Sequence, residues 1–422
     1  MTLLARLKLA AASLRHRRGP VLLTLITLTL SLTLVLGVQY LRSEVKQSFV
    51  STLSGTDLIV GARSGPMNLL LYSVFHIGNP TNNIRWSSYQ HVAEQPAVDW
   101  VVPMTLGDAH QGYRVIATNR DFFERFRYGN RHSLELASGR AFDDLYEVVL
   151  GADVARNLDY EPGDELAIAH GGGSTSFVNH DDKPFRVSGI LAPTGTPLDR
   201  TLQISLEAFE AIHLGWQSGV PAPGRQVSAE QARERDLTPD SITAMLVGVN
   251  RPIMTLRLQR ELNNYRGEPL TAILPGATLS ELWRLMGSFE RALMVITALV
   301  LFTSLAGLAA VLLTIQGSRN REMAILRSVG ASPATVALLF VSEALLLVAL
   351  AALLALGLWF GGLALLAPWL SELWGVHIAL RPPQALELGL LGGAMGLALL
   401  VSLLPAWAAY RRSLSEGLTP RE

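Results

Sequence analysis

Without a single cysteine, any chemistry in this 422-residue chain has to come from carboxylates, histidines, hydroxyls or backbone amides. The missing thiols remove disulfide scaffolds, Cys-based zinc sites, Fe–S clusters and thiol nucleophiles together. His76, His91, His110, His132, His170 and His180 fall in the polar middle of the chain, and Asn-His-Asp-Asp at 179–182 adds two carboxylates. A metal site legible from sequence shows a short spacing such as H-x-x-x-H or H-E-x-x-H, which puts two ligands on one helix face. No such spacing occurs, so these histidines are expected to be scattered over the surface and to bind no metal. There is no G-x-S-x-G hydrolase elbow either. A phosphate-binding loop needs G-x-x-x-x-G-K-[ST], so that backbone amides and a lysine cradle the phosphates. The nearest glycine run, GGGSTS at 171–176, lacks the lysine and reads as a hairpin tip. No catalytic residue and no cofactor bound by this chain are expected.

Three other features stand out. Glu343 lies ten residues past Pro333 in an otherwise apolar run, about 15 Å along a helix at about 1.5 Å per residue. A carboxylate at that depth is costly, so it serves either a function or, as the favoured reading, the pinning of helix packing. SRNREMAILRSVGASP, 318–333, sets charges between two apolar runs. Met323, Leu326, Val329 and Gly330 recur at spacings of three and four, Arg319 and Glu322 are placed to pair, Gly330 suits a helix C-cap, and Ser332-Pro333 suits a restart. That pattern reads as a short surface helix, or more blandly as a basic loop that fixes topology. Finally, PMNLLLYSVFHIGNP at 66–80 is apolar but too short to span a bilayer. Leu69, Leu70, Leu71, Tyr72 and Phe75 are candidates for contact with a partner or hydrophobic substrate, and burial within their own domain is the alternative.

These features have to be positioned by a chain that is 49% hydrophobic, with zero net charge and a mean hydropathy above zero. Such a balance fits part membrane and part aqueous domain, and gives no global basic field for nucleic acid. Apolar runs long enough to cross a bilayer divide it as follows: an N-terminal segment 1–18, spans at 19–41, 289–315, 334–366 and 385–409, connecting segments 42–288, 316–333 and 367–384, and a tail 410–422. The first run is too long for a cleaved signal and no small-residue cleavage site follows it, so it is expected to stay as an anchor. Arg6, Lys8, Arg15, Arg17 and Arg18 precede the first span, Arg319, Arg321 and Arg327 separate the second and third, and Arg411, Arg412 and Arg421 follow the fourth. By the positive-inside rule both termini are cytoplasmic and 42–288 lies outside.

The fold expected is therefore an integral membrane protein with four transmembrane α-helices and a large α+β extracytoplasmic domain between the first and second. Val- and Ile-rich runs at 57–62, 146–151, 164–169, 185–191 and 241–249 read as strands, and 119–126, 205–212 and 252–265 as helices. Mixed order without a repeating βαβ unit argues against a doubly wound sheet. Val45, Phe49 and Leu53 after the first span, and Leu279, Leu282, Leu285 and Phe289 before the second, keep helical spacing, so both helices should run on as stalks.

RNREMAILRSVGAS at 319–332 resembles the cytoplasmic loop of ABC transporter permeases of the FtsX/MacB/LolCDE type, with the pattern R-x-x-E-x-[AG]-[IL]-L-[RK]-[AS]-[IVL]-G-A. RLKLAAASLRHRRGPVLLTL at the start and LPAWAAYRRSLSEGL near the end are similar to that family's first-span approach and last-span exit. LASGRAFDD (136–144), EVVLGADVARNL (147–158), PGDELAIA (162–169) and FRVSGIL (185–191) resemble its periplasmic core. SEGLTPRE departs from the usual acidic-proline tail, and 56–86 has no counterpart. The resemblance implies a mechanotransmission permease subunit of a bacterial inner membrane. Its Arg319, Arg321, Glu322, Met323, Leu326 and Arg327, closed by Gly330, would form a coupling helix docked on a separate ATPase. ATP and Mg would be held by two such ATPase copies. A second permease copy or paralogue, a periplasmic or exported partner protein and membrane lipid complete the implied partners. The cargo implied is lipophilic, peptide or lipoprotein-like, and the family's other mode is FtsX-like signalling to a periplasmic protein.

Overall fold

The computed structural model describes residues 18–171, 178–180, 182–217, 220–221, 227–317, 325, 328, 330–374 and 381–415. The chain forms two compact units. One comprises Met1–Glu44, Gly287–Trp369 and Ile378–Glu422, the other Val45–Met286 and Leu370–His377.

The first unit is helical. Its helices belong to α1 (Arg18–Ser51), α4 (Pro275–Gly317), α5 (Pro333–Trp374) and α6 (Ala385–Ser415). Each contains a stretch long and apolar enough to cross a membrane: Gly19–Glu44, Pro275–Thr314, Pro333–Leu366 and Ala385–Ala408. Leu28, Leu32 and Leu36 of α1 pack with Leu305, Leu308 and Leu312 of α4, Ala344, Leu347, Val348, Ala351 and Ala355 of α5, and Leu391, Ala394 and Ala398 of α6. The three-to-four spacing puts each set on one helical face, and the alanines let backbones approach closely. Ser31 and Ser304 hydroxyls meet at 2.5 Å between two of these helices. Glu343 is 1% exposed inside this unit, the environment a packing carboxylate requires.

Helix continuity matches the stripes read from the sequence. α1 is 34 residues long and α4 43, about 51 and 65 Å at 1.5 Å per residue, against a hydrocarbon thickness of about 30 Å. Pro275 is the first residue of α4, where its missing N–H costs nothing, and no proline interrupts the helix. The stripe itself divides: Leu279 packs on the core of the second unit, whereas Leu285 and Phe289 are exposed.

At the membrane helix ends, Arg381 gathers acidic groups. Its Nε donates to Glu44 at 2.7 Å, Nη2 to Glu387 at 2.8 Å and to Ser43 Oγ at 2.7 Å, and the guanidinium lies 4.5 Å from the Tyr40 ring centroid. Glu387 also accepts from the Gln384 backbone N–H at 2.8 Å, in the first turn of α6 where a carboxylate complements the helix dipole. The start of α5 follows its sequence: Gly330 has φ +94°, Ser332 Oγ accepts from the Thr335 N–H at 3.3 Å, and Pro333 opens the helix. Ser332→Ala should cost about 1 kcal/mol at this helix start. Hydrogen exchange at Thr335 and Val336 should speed up about fivefold, with the rest of α5 unchanged.

The second unit is α+β. Its principal elements are β1 (Leu58–Ala62), α2 (Pro66–Val74), β2 (Val98–His110), β3 (Tyr113–Thr118), β4 (Leu136–Gly139), β5 (Glu147–Leu150), β6 (Ala169–His170), β7 (Val178–Asn179), β8 (Phe185–Leu191), β9 (Thr201–Ser205), α3 (Leu206–His213), β10 (Ala244–Val249) and β11 (Leu270–Ile273). The main sheet runs β11-β1-β10-β2-β3-β9-β5-β8-β4, with the β6–β7 hairpin joined to β2. Most neighbours are antiparallel, while β9 with β3 and β8 with β5 are parallel. Side-chain alternation sends Ile59, Leu246 and Ile116 to one core and Val60, Val247 and Val115 to the other, so the sheet is covered on both faces.

The apolar 66–80 segment is part of this interior. Leu69, Leu70, Tyr72 and Phe75 are buried and Leu71 half-buried on one core, so these five residues do not form the contact surface considered for them. The strand beneath makes the room. A Cβ on Gly61 would lie 2.7 Å from Leu69 Cδ1 and 2.9 Å from Tyr72 Oη, so α2 sits on a glycine gap.

Candidate functional site

The residues set apart for docking, Arg319, Arg321, Glu322, Met323, Leu326 and Arg327, lie outside the described residues. Of that set only Gly330 is placed, as the exposed positive-φ residue before α5. What the structure brings together instead is in the α+β unit: Asp108, His170, His180 and His213, whose candidate ligand atoms all lie within 4.8 Å of one another.

Each is delivered by a different piece of the fold. β2 carries a bulge: its pairing with β3 shifts between Leu106 and Ala109, so Gly107 and Asp108 together oppose one residue. Strict alternation would send Asp108 to the face of Val102, Met104 and Leu106. The bulge turns it to the opposite face, where Phe209 of α3 packs on Gly107. His170 is paired with Asp108 across the β6–β2 ladder. His180 follows β7, and its N–H donates to the Ile168 carbonyl at 2.8 Å. His213 ends α3, which Ser205 caps by accepting from the Ala208 N–H at 3.0 Å and which buries Leu206, Ala208, Ala211 and Ile212.

The geometry is tight. His170 Nδ1 is 3.2 Å from Asp108 Oδ1 and 3.1 Å from His213 Nε2, while His213 Nε2 and His180 Nε2 are 3.4 and 3.9 Å from Asp108 Oδ2. His213 Nδ1 donates to the Phe209 carbonyl at 2.7 Å, which aims its Nε2 at the cluster. Trp216 lies over the group, its ring 4.3 Å from that of His180 and 5.2 Å from that of His170. Asp108 and His180 are 1% and 0% exposed, yet among the described residues neither carboxylate oxygen and neither His180 nitrogen has a hydrogen-bond partner.

Charge is divided to match. Burial pushes the Asp108 carboxyl up, but the close approach of His170 and His213 outweighs it and holds it at about 2. Burial, only partly offset by Asp108, lowers His180 to about 4 and keeps that imidazole neutral with a lone pair available. For His213 burial acts downward as well, yet Asp108 outweighs it and the net shift is upward.

The expectation of scattered surface histidines therefore fails at His170 and His180, and His213 and Asp108 were not singled out by sequence at all. No short spacing joins positions 108, 170, 180 and 213, so no local signal marks them. The remaining histidines behave differently. His110 is buried with Nδ1 2.7 Å from the Ala167 carbonyl oxygen and Nε2 3.1 Å from Tyr160 Oη, as a satisfied core residue. His76 is half-buried, and desolvation of its ring, then Arg114, lower it to about 3. His91 stacks on Tyr265, and His132 is exposed.

Family comparison covers both units. The model of the MacB-like periplasmic core domain matches residues 21–247, more than half of the chain, and that of the FtsX-like permease C-terminal matches residues 294–417. The chain belongs to the FtsX/MacB-like family of ABC transporter permeases. Among solved structures, the periplasmic region of MacB from Actinobacillus actinomycetemcomitans is similar at 13% identity, covering 55% of the permease and 94% of that chain with a TM-score of 0.34. The extracellular domain of the noncanonic ABC-type transporter YknZ from Gram-positive bacteria is similar at 12% identity, covering 52% and 99% with a TM-score of 0.31. Comparison with curated proteins gives no match. The permease is thus a membrane protein with a MacB-like periplasmic domain, and the Asp-His cluster lies within that domain.

Proposed function

We propose that this chain is the membrane subunit of an ABC system in a bacterial inner membrane. In this reading a separate ATPase subunit hydrolyses ATP and the permease converts its closure into movement of the periplasmic domain. Both termini and the 316–333 loop face the cytoplasm, following the arginine distribution. The observation that carries the reading is the FtsX-like match over 294–417, which spans the loop containing RNREMAILRSVGAS. Support also comes from α4, which continues without a break from residue 275 to the last position before that loop. Two permease copies, or a copy and a paralogue, would work with two ATPases, because four helices that leave most of their apolar surface outward have room for further helices and lipid.

The cargo class in this reading is lipophilic, peptide or lipoprotein-like, acted on from the periplasmic side. A second reading, FtsX-like activation of a periplasmic protein, uses the same machinery with no cargo. Co-expression with a cognate ABC ATPase from the same genome tests the common part. The two should co-purify in detergent, and ATPase activity should rise several-fold over the ATPase alone. Free ATPase with unchanged activity would defeat both readings. Movement of a co-purified hydrophobic molecule on addition of ATP separates the first reading from the second.

A further inference from the structure

We infer that Asp108, His170, His180 and His213 bind one divalent transition-metal ion of the zinc type in the periplasmic domain. Three imidazoles and one carboxylate are a donor set for zinc and its neighbours in the transition series, and too nitrogen-rich for magnesium or calcium. A tetrahedral site with metal–ligand bonds of about 2.0–2.1 Å has ligand–ligand edges of about 3.3 Å. Four of the separations, 3.1, 3.2, 3.4 and 3.9 Å, straddle that value, and all the candidate ligand atoms lie within 4.8 Å of one another.

Burial supplies the second, independent indication. The Asp108 oxygens and both His180 nitrogens are removed from water without a hydrogen-bond partner among the described residues, although nearly every buried polar atom in a folded protein has one. A cation coordinated at their centre satisfies Asp108 and one His180 nitrogen together. His213 already has the outer support that metal-bound imidazoles use, since its Nδ1–H donates to the Phe209 carbonyl and leaves Nε2 free to ligate. Trp216 packs on His180, and the His170 and His213 side chains keep 33% and 20% exposure, so the ion reaches its ligands from solvent. Loading cross-links β2, the β6–β7 hairpin and the end of α3. Because all four ligands belong to the periplasmic domain, binding is measurable without any ATPase.

The test uses the full-length chain in detergent, with any histidine tag removed, stripped by chelator and titrated with zinc against a chromophoric chelator. One equivalent per chain is expected, together with visible bands of tetrahedral intensity when cobalt(II) replaces zinc. His170→Ala and His213→Ala, at the two partly exposed ligands, should each weaken zinc binding by more than about 10-fold, since even outer-shell changes cost about 10- to 100-fold. Exposed His132→Ala should leave it unchanged. Zinc should raise the thermal midpoint of the native chain and not that of the His170→Ala/His213→Ala double variant. An octahedral cobalt spectrum in the native protein, or equal affinity in the native and doubly substituted chains, overturns the assignment. The cobalt measurement needs no substitution, so it decides the matter even where a variant does not fold.

Discussion

Leu326→Asp should abolish ATPase stimulation and release the ATPase subunit from the membrane while leaving the permease inserted. Docking surfaces concentrate their affinity in central apolar anchors ringed by polar groups, and truncating such an anchor costs about 2 kcal/mol or more. Placing a carboxylate there adds the cost of desolvating a charge, so association should weaken by at least about 30-fold. Leu326 stands three residues after Met323 and four before Gly330, the spacing expected of one helical face, with Glu322 and Arg327 nearby in sequence. Glu322→Lys should show a smaller loss, restored in part by raising ATPase concentration, because a rim charge acts mainly on the association rate. Co-purification and ATP hydrolysis in reconstituted membranes provide the measurement. Full stimulation with Leu326→Asp would remove 319–330 from the coupling path and leave these arginines as topology signals only.

Arg381→Ala should be the most destabilising single change in the helical unit, by about 3–5 kcal/mol, because it leaves buried Glu387 and half-buried Glu44 uncompensated. Glu387 keeps 6% side-chain exposure and Glu44 14%, and among the described residues Arg381 is the cation bound directly to both. Losing it also removes one of the hydrogen bonds of Ser43, which keeps the one it donates to the Tyr40 carbonyl, and opens the Tyr40 face. Arg381→Lys should recover only part of the loss, since one ammonium cannot reproduce the several directed donors of the guanidinium. Glu387→Gln combined with Arg381→Ala should be milder than Arg381→Ala alone, the signature of a repulsion relieved. Thermal unfolding in detergent reads all three, and a transition unchanged by Arg381→Ala would show that the network is solvated and dispensable.

What could be read beforehand follows how local the physics is. The four long helices are legible because lipid demands one uniform property, apolarity, over about 20 consecutive residues. FRVSGIL was legible as a strand because its alternation is visible in burial, Phe185, Val187, Gly189 and Leu191 facing in. The 13-residue β2 was not singled out: Pro103 stands in the middle of a central strand and Gly107 breaks the alternation, two signals that ordinarily argue against a strand. The helix at 66–74 was seen as apolar, but its burial depends on Gly61, a residue outside the segment. The metal-type cluster was invisible for the same reason carried further. Its four members lie on a strand, the two sides of a hairpin and a helix end, and only the tertiary fold makes them neighbours.

The extra residue in β2 has a consequence best put as parity. A strand is a two-sided count, and one insertion inverts the face assigned to every later position. Upstream of Gly107 the even-numbered Val102, Met104 and Leu106 look into one core, while beyond it Asp108 has crossed to the other side. At the bulge two consecutive residues share one side, so deleting Gly107 would leave Asp108 directly after Leu106, still facing the histidines, with every later residue on its present face. Deleting Asp108 instead keeps the same count and leaves a glycine opposite three imidazoles. The doubled position is therefore a place where the strand can gain or lose the carboxylate without turning over the rest of its length.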